Sequence, residues 1–121
     1  MKKQTFEQDG KKIAVVQSDE IIIHDSQSAL DFMATIRYEE DAGHIAINKE
    51  AICEDFFILS TGLAGEVLQK FVNYGRKFAI IGDFSGYTSK PLHDFIHECN
   101  RGKDIFFVAT IGEAIDKLTE S

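Results

Sequence analysis

"KFAIIGDFSGYTSKPLHDFIHECNRGKDIFFVAT", Lys77–Thr110, is the stretch whose reading decides the fold. Two short apolar runs, "KFAIIGD" and "DIFFVAT", flank one helical segment. Both runs are apolar on both faces, as parallel strands covered by helices tend to be. The segment between them carries three agreeing helix signals. Ser89 caps it, Pro91 sits in its first turn and Gly102 stops it. Leu92, Phe95, Ile96 and Cys99 recur at helical spacing and form its inward face. A strand–helix–strand unit of this kind pairs its strands parallel through a right-handed crossover.

Outward from this unit the same alternation continues. "TIGEAIDKLTE" is a final helix, with Thr110 and Glu113 at capping-box spacing and Ile111, Ala114, Ile115 and Leu118 facing inward. Upstream, "EDFFILSTGLAGEVLQKFVNYG" (Glu54–Gly75) reads as one helix and "HIAINK" as a buried strand. "SQSALDFMATIRYEED" is helical through Ala29, Phe32, Met33 and Ile36, with Asp25 or Ser26 as its N-cap. "EIIIHD" is a short strand or extended edge. "TFEQDGKKIAVVQ" is a hairpin turned at Asp9-Gly10, a dipeptide suited to the positive φ of a type I′ turn. The order is hairpin, helix, then strand–helix three times. It predicts one α/β domain over residues 1–121, with a mixed, mostly parallel sheet, an N-terminal hairpin and about four helices.

The totals agree with such a domain. A chain of 121 residues buries roughly two-thirds of its unfolded surface. Hydrophobic residues make up 44% and charged residues 27%, which is the globular range. A net charge of −7 and the lack of a basic stripe argue against nucleic acid or anionic lipid as partners. Two cysteines are too few for a secreted disulfide scaffold. Cys99 lies on an apolar helix face, and Cys53 stands beside Glu54 and Asp55, where a thiolate is disfavoured. The charged N-terminus has no apolar run after it, so neither a signal peptide nor a membrane span is expected. The cytoplasm is the expected location.

Two resemblances follow from quoted residues. Through "SDEIIIHDSQSALDF", "INKEAICEDFF", "LAGEVLQKF" and "IIGDFS", nearly the whole chain resembles a small bacterial family described as domain of unknown function 4180. That likeness implies a bacterial source and a fold, and implies no activity. The element order also resembles the STAS domain of anti-sigma-factor antagonists. Those domains carry Asp-Ser-Ser/Thr-Gly at the start of the helix after the third strand, where a partner kinase phosphorylates a hydroxyl. "LSTGLAG" is similar, with Leu59 in place of the motif's Asp. The resemblance makes Thr61 the possible phosphoacceptor and Ser60 its neighbour. It also implies a regulatory protein partner.

Periodicity and length place the helix differently. Phe56, Leu59, Leu63, Val67 and Phe71 form one stripe, extended by Leu68 and Val72. Glu54 and Asp55 suit a first helical turn. The expected helix start is therefore near Glu54, with Thr61 about two turns inside and its neighbouring amides already bonded. In that register Gly62, Ala64 and Gly65 are expected to let the helix pack closely against another element.

Chemistry elsewhere is expected at the carboxyl ends of the parallel strands. The candidate ligand-binding residues are Asn48 and Glu50 after one strand and Asp83, Ser85 and Tyr87 after the next, with Lys49 and Thr110 nearby. Such residues also serve as turn and cap formers. Glu50 and Asp83 would form a working carboxylate pair only if they converge in one pocket, with His24 or Asp25 close by. His93 and His97 lack a zincin glutamate between them and read as a solvated pair, so no metal is expected. "IIGDFSGYTSK" lacks the glycine spacing of a dinucleotide or P-loop fingerprint.

The expectation is a non-enzymatic regulatory or protein-interaction module without a cofactor. The alternative is a small-molecule binder or minor enzyme using the loop edge. A third possibility is a homodimer formed through an exposed apolar patch at Phe57 or Phe84.

Overall fold

The computed structural model describes residues 1–120. Strands β1 (Lys2–Gln8) and β2 (Lys11–Gln17) pair antiparallel, with Gln8 opposite Lys11. Asp9 and Gly10 hold φ of 56° and 77° in the turn between them, the left-handed pair that a type I′ turn demands. Then follow α1 (Ser26–Glu40), β3 (His44–Asn48), α2 (Leu63–Asn73), β4 (Phe78–Ile81), α3 (Lys90–Arg101), β5 (Ile105–Val108) and α4 (Ile111–Thr119). The five strands lie in the order β1-β2-β3-β4-β5, and every pair after the hairpin is parallel. The mixed α/β sheet, the hairpin and the four helices match the expected fold class.

Each crossover advances by one strand in the same direction. Crossovers of one hand that advance together place their helices on one face. Accordingly α1, α2 and α3 bury Phe32, Met33, Ile36, Val67, Leu68, Phe71 and Leu92 against Ala14, Val16, Ile45, Ile47, Phe78, Ile80, Ile105 and Phe107. No strand follows α4, so it can fold over the other face. There Ala114 and Leu118 cover Ile13, Val15, Ala46, Ala79, Phe106 and Val108. Alternate strand residues serve opposite layers, as the two-residue period of a strand requires.

Local chemistry fixes most helix ends. Asp25 caps α1 by accepting from the Ser28 amide at 2.7 Å, while Ser28 Oγ accepts from the Asp25 amide at 3.1 Å. Ser89 accepts from the Leu92 amide and Thr110 from the Glu113 amide, as their positions predict. "EIIIHD" is an extended strap, not a strand of the sheet. Only Ile23 bridges to Ile52, with the Cys53 amide bonded to the Ile23 carbonyl. At the far edge, the Asn100 side chain bonds both backbone groups of Phe107, accepting at 2.7 Å and donating at 3.1 Å. It thus occupies the outer hydrogen-bonding positions of β5.

The helix expected to start near Glu54 starts at Leu63 instead. Residues Glu54–Phe57 and Leu59–Thr61 form two 3-10 turns separated by Ile58, which is extended. A left-handed Gly62 cannot lie inside an α-helix, and the Thr61 hydroxyl, 2.8 Å from the Asp55 and Ile58 carbonyls, ties the two short turns together ahead of it. These turns bury both Phe56 and Phe57, exposed by only 1% and 3%. Gly62 then takes φ 78° as the residue before the helix.

The close-packing role expected of the glycines also needs correcting. A Cβ added at Gly62 or Gly65 would meet nothing within 4 Å. Only Ala64 is buried. Gly62 serves the left-handed conformation, not a close approach.

Candidate functional site

The residues predicted to line the carboxyl-end loops separate into three places. Asn48 joins β2 to β3. Its side-chain carbonyl accepts from the Ser18 amide at 2.9 Å, and its amide donates to the Ser18 carbonyl at 2.8 Å and to Glu50 at 3.2 Å. Asn48 and Glu50 line an open cleft of about 600 Å3 with Gln17, Ser18 and Asp19. Asp83 and Ser85 form a local turn instead. Asp83 accepts from the Ser85 amide at 2.9 Å and from its hydroxyl at 2.6 Å. Those bonds hold its carboxyl below the usual aspartate range. Asp83 borders a different cleft, with Phe107 and Glu113, so Glu50 and Asp83 do not converge in one pocket.

Tyr87 belongs to the third place, an aromatic cluster. It stacks on Phe57 at 5.3 Å, and Phe84 lies against both rings and meets Phe107 edge-on at 5.4 Å. Burial first, then the charge of Glu54 and a hydrogen bond to it, push the Tyr87 hydroxyl up to about 12. The Lys49 ammonium sits 5.0 Å from the centre of the same ring, within range of a cation–π attraction. The Lys49 stem crosses Gly82 so closely that a Cβ there would lie 2.6 Å from it. Lys49 and Tyr87 were expected on this one edge, but their arrangement with Glu54, which joins three loops, was missed in the sequence. Gly82 at the end of an apolar strand was its one signal, since such a glycine often marks a close approach. Phe57, expected in an exposed patch, is instead buried beneath Tyr87.

The segment ahead of α2 is open where the sequence predicted closed backbone. Thr61 and Ser60 are exposed. The Thr61 hydroxyl lies 2.8 Å from the carbonyls of both Asp55 and Ile58 and accepts from the Leu63 amide at 3.2 Å. Glu66 bonds back to Gly62, the first backbone bond of the helix. The amides of Ala64 and Gly65 have no acceptor within hydrogen-bonding distance among the described residues. Thr61 therefore stands beside unpaired amides at the positive end of an eleven-residue helix. Ser60 lines a cleft of about 420 Å3 with Glu54, Phe57, Ile58, Tyr87 and Pro91.

The remaining candidates are local. His24 contacts Asp25 at 3.4 Å, with both side chains exposed. His93 bonds the Tyr87 carbonyl and His97 is exposed. Among the described residues no three His, Cys, Asp or Glu side chains gather in a metal-binding cluster. Both cysteines are reduced, and burial followed by Glu98 pushes the Cys99 thiol up to about 11. No described helix is long and apolar enough to cross a membrane.

No curated protein and no solved structure matches the chain. The model of a family described as Domain of unknown function (DUF4180) matches residues 8–118. That span runs from the last residue of β1 to Leu118, a fully buried residue of α4. It takes in the strap, the two 3-10 turns and every candidate residue above, so the chain is a member of the DUF4180 family.

Proposed function

We propose that this protein is a non-enzymatic protein-interaction module of STAS-like type. Segment Glu54–Leu63 is its contact element, and phosphorylation at Thr61, with Ser60 as the second hydroxyl, is its control. The observation that carries this reading is Thr61 Oγ, exposed beside the unpaired amides of Ala64 and Gly65. A phosphate there gains those amides and the positive end of α2. In the transfer, Thr61 Oγ bonds to the γ-phosphorus of ATP, the bond to the β-phosphate oxygen breaks, and a base of the partner kinase takes the hydroxyl proton. The product can no longer donate to the Asp55 or Ile58 carbonyl. It also places new negative charge near Glu54, Asp55 and Glu66. Both effects loosen the second 3-10 turn and alter the surface around Ile58, which is 47% exposed.

The test is mass spectrometry of the chain recovered from bacterial cells, paired with binding assays on Thr61→Ala and Thr61→Glu. Phosphate on Thr61 or Ser60, with partner binding altered in Thr61→Glu alone, is the expected result. Recovery of only unmodified peptides over residues 54–70 would remove the reading.

A further inference from the structure

A second surface, at the opposite ends of the strands, has a different chemistry. Leu30, Met33 and Ala34 lie at helical spacing on α1 and floor a cleft of about 460 Å3. Tyr38 and Tyr74 stand at its sides, exposed by 91% and 61%. Arg37 and Arg76 complete the rim. Apolar floor, tyrosines and arginines together are the composition of protein-binding hot spots.

Charge selects the kind of partner. The protein as a whole carries −7, yet the starts of β2 to β5 gather Lys11, Lys12, His44, Arg76, Lys77 and Lys103. The carboxylates on that edge are Glu7, Asp9, Glu39, Glu40, Asp41 and Asp104, of which Glu39 and Glu40 pair with Lys3 of β1. Arg37 is 3.9 Å from Asp41, and Arg76 has no carboxylate within ion-pairing distance among the described residues. His44 lies among these groups. Burial is the first cause that lowers its proton affinity, and the charges of Lys77, Lys11 and Arg76 add to it. An adjoining cleft shares Arg37 and is of mixed charge, lined by Lys11, Lys12 and His44 with Glu7 and Asp41.

We propose that the cleft between α1 and the carboxyl end of α2 binds an acidic polypeptide segment of another protein. One leucine or aromatic side chain of that segment enters between Tyr38 and Tyr74, and its flanking carboxylates meet Arg37 and Arg76. The apolar floor supplies affinity, and the rim charges supply selection and speed of encounter. A basic or neutral segment gains only the floor. A second copy of this acidic chain is a different occupant.

The test is selection of a random peptide library displayed on phage against the full chain, followed by anisotropy with the winning peptide. Enriched sequences are expected to carry Asp or Glu around one leucine or aromatic residue. Binding should weaken by about tenfold or more in Arg76→Glu and in Arg37→Glu, be blocked by Ala34→Arg, and be unchanged by Lys90→Glu on α3. Tyr38→Ser, at a side chain 91% exposed, serves as a second cleft variant should Ala34→Arg fail to fold, and it too should weaken binding. Three results would each overturn the assignment: no enrichment, basic or neutral winners, or undiminished binding in the cleft variants. Self-association by sedimentation that Ala34→Arg abolishes would also overturn it, because the occupant is then a second copy.

Discussion

Gly62 and Gly65 sit three residues apart and answer to different physics. Gly62 holds φ 78°, so Gly62→Ala forces a side chain into the left-handed region and should cost about 1–2 kcal/mol. Gly65 is helical, exposed and open to an added methyl group. Gly65→Ala should therefore stabilise by about 1 kcal/mol. Denaturant unfolding of the two variants should show shifts of opposite sign. Tyr87 offers a second measurement. Its hydroxyl ionises at 10.0 when unconstrained and at about 12 in the fold. Between those values the folded chain holds a proton that the unfolded chain has released. Stability is thus intact below pH 10 and falls as pH rises from about 10 towards 12. Glu54→Gln removes the neighbouring negative charge, so a spectrophotometric titration should show the late tyrosine ionising earlier. Of the Tyr87 environment only Lys49, on the same loop edge, was legible in the sequence, because Glu54 and Phe57 reach it from a segment read as helix.

The elements themselves were largely legible, and the exception is instructive. Asp25 or Ser26, Ser89 with Pro91, and Thr110 with Glu113 each announce a helix start within a few residues, and the structure settles the first on Asp25. The apolar runs announce the buried strands in the same local way. The segment before α2 offered no such cap. Its spacing from Phe56 through Leu59 to Leu63 suits 3-10 turns followed by a helix nearly as well as one long helix. What decides between them is the Thr61 hydroxyl bonded to the Asp55 and Ile58 carbonyls and the left-handed Gly62, neither of which periodicity reports. The distinction predicts hydrogen-exchange behaviour. Amides of Ala64 and Gly65 should exchange rapidly, while those of Val67–Phe71, inside the closed helix, should be protected. Protection beginning at Phe57 would restore the single long helix.

At the scale of the molecule, the two layers are unequal. Three helices share the larger core, and α4 alone covers the smaller one. Leu118 is fully buried at the centre of that cover. Leu118→Ala should cost about 2–5 kcal/mol in chemical denaturation, a large share of a domain's usual stability. Charge is also unevenly placed at the two contact regions, with Arg37 and Arg76 on the rim of the α1–α2 cleft and Glu54 and Asp55 in the segment ahead of α2. The two proposed contact regions therefore lie at opposite ends and select partners by opposite means, one through a switchable hydroxyl and the other through fixed guanidinium groups. Neither was visible in net charge, which averages over both.

The sheet has two outer margins, and they are guarded differently. Lys2, Lys3 and Glu7 on β1 discourage further pairing at one. At the other, Asn100 imitates the backbone of a sixth strand for one residue of β5. Its carboxamide blocks the site at which an incoming chain would begin to zip on. This single side chain helps keep one folded copy from seeding a ribbon of many.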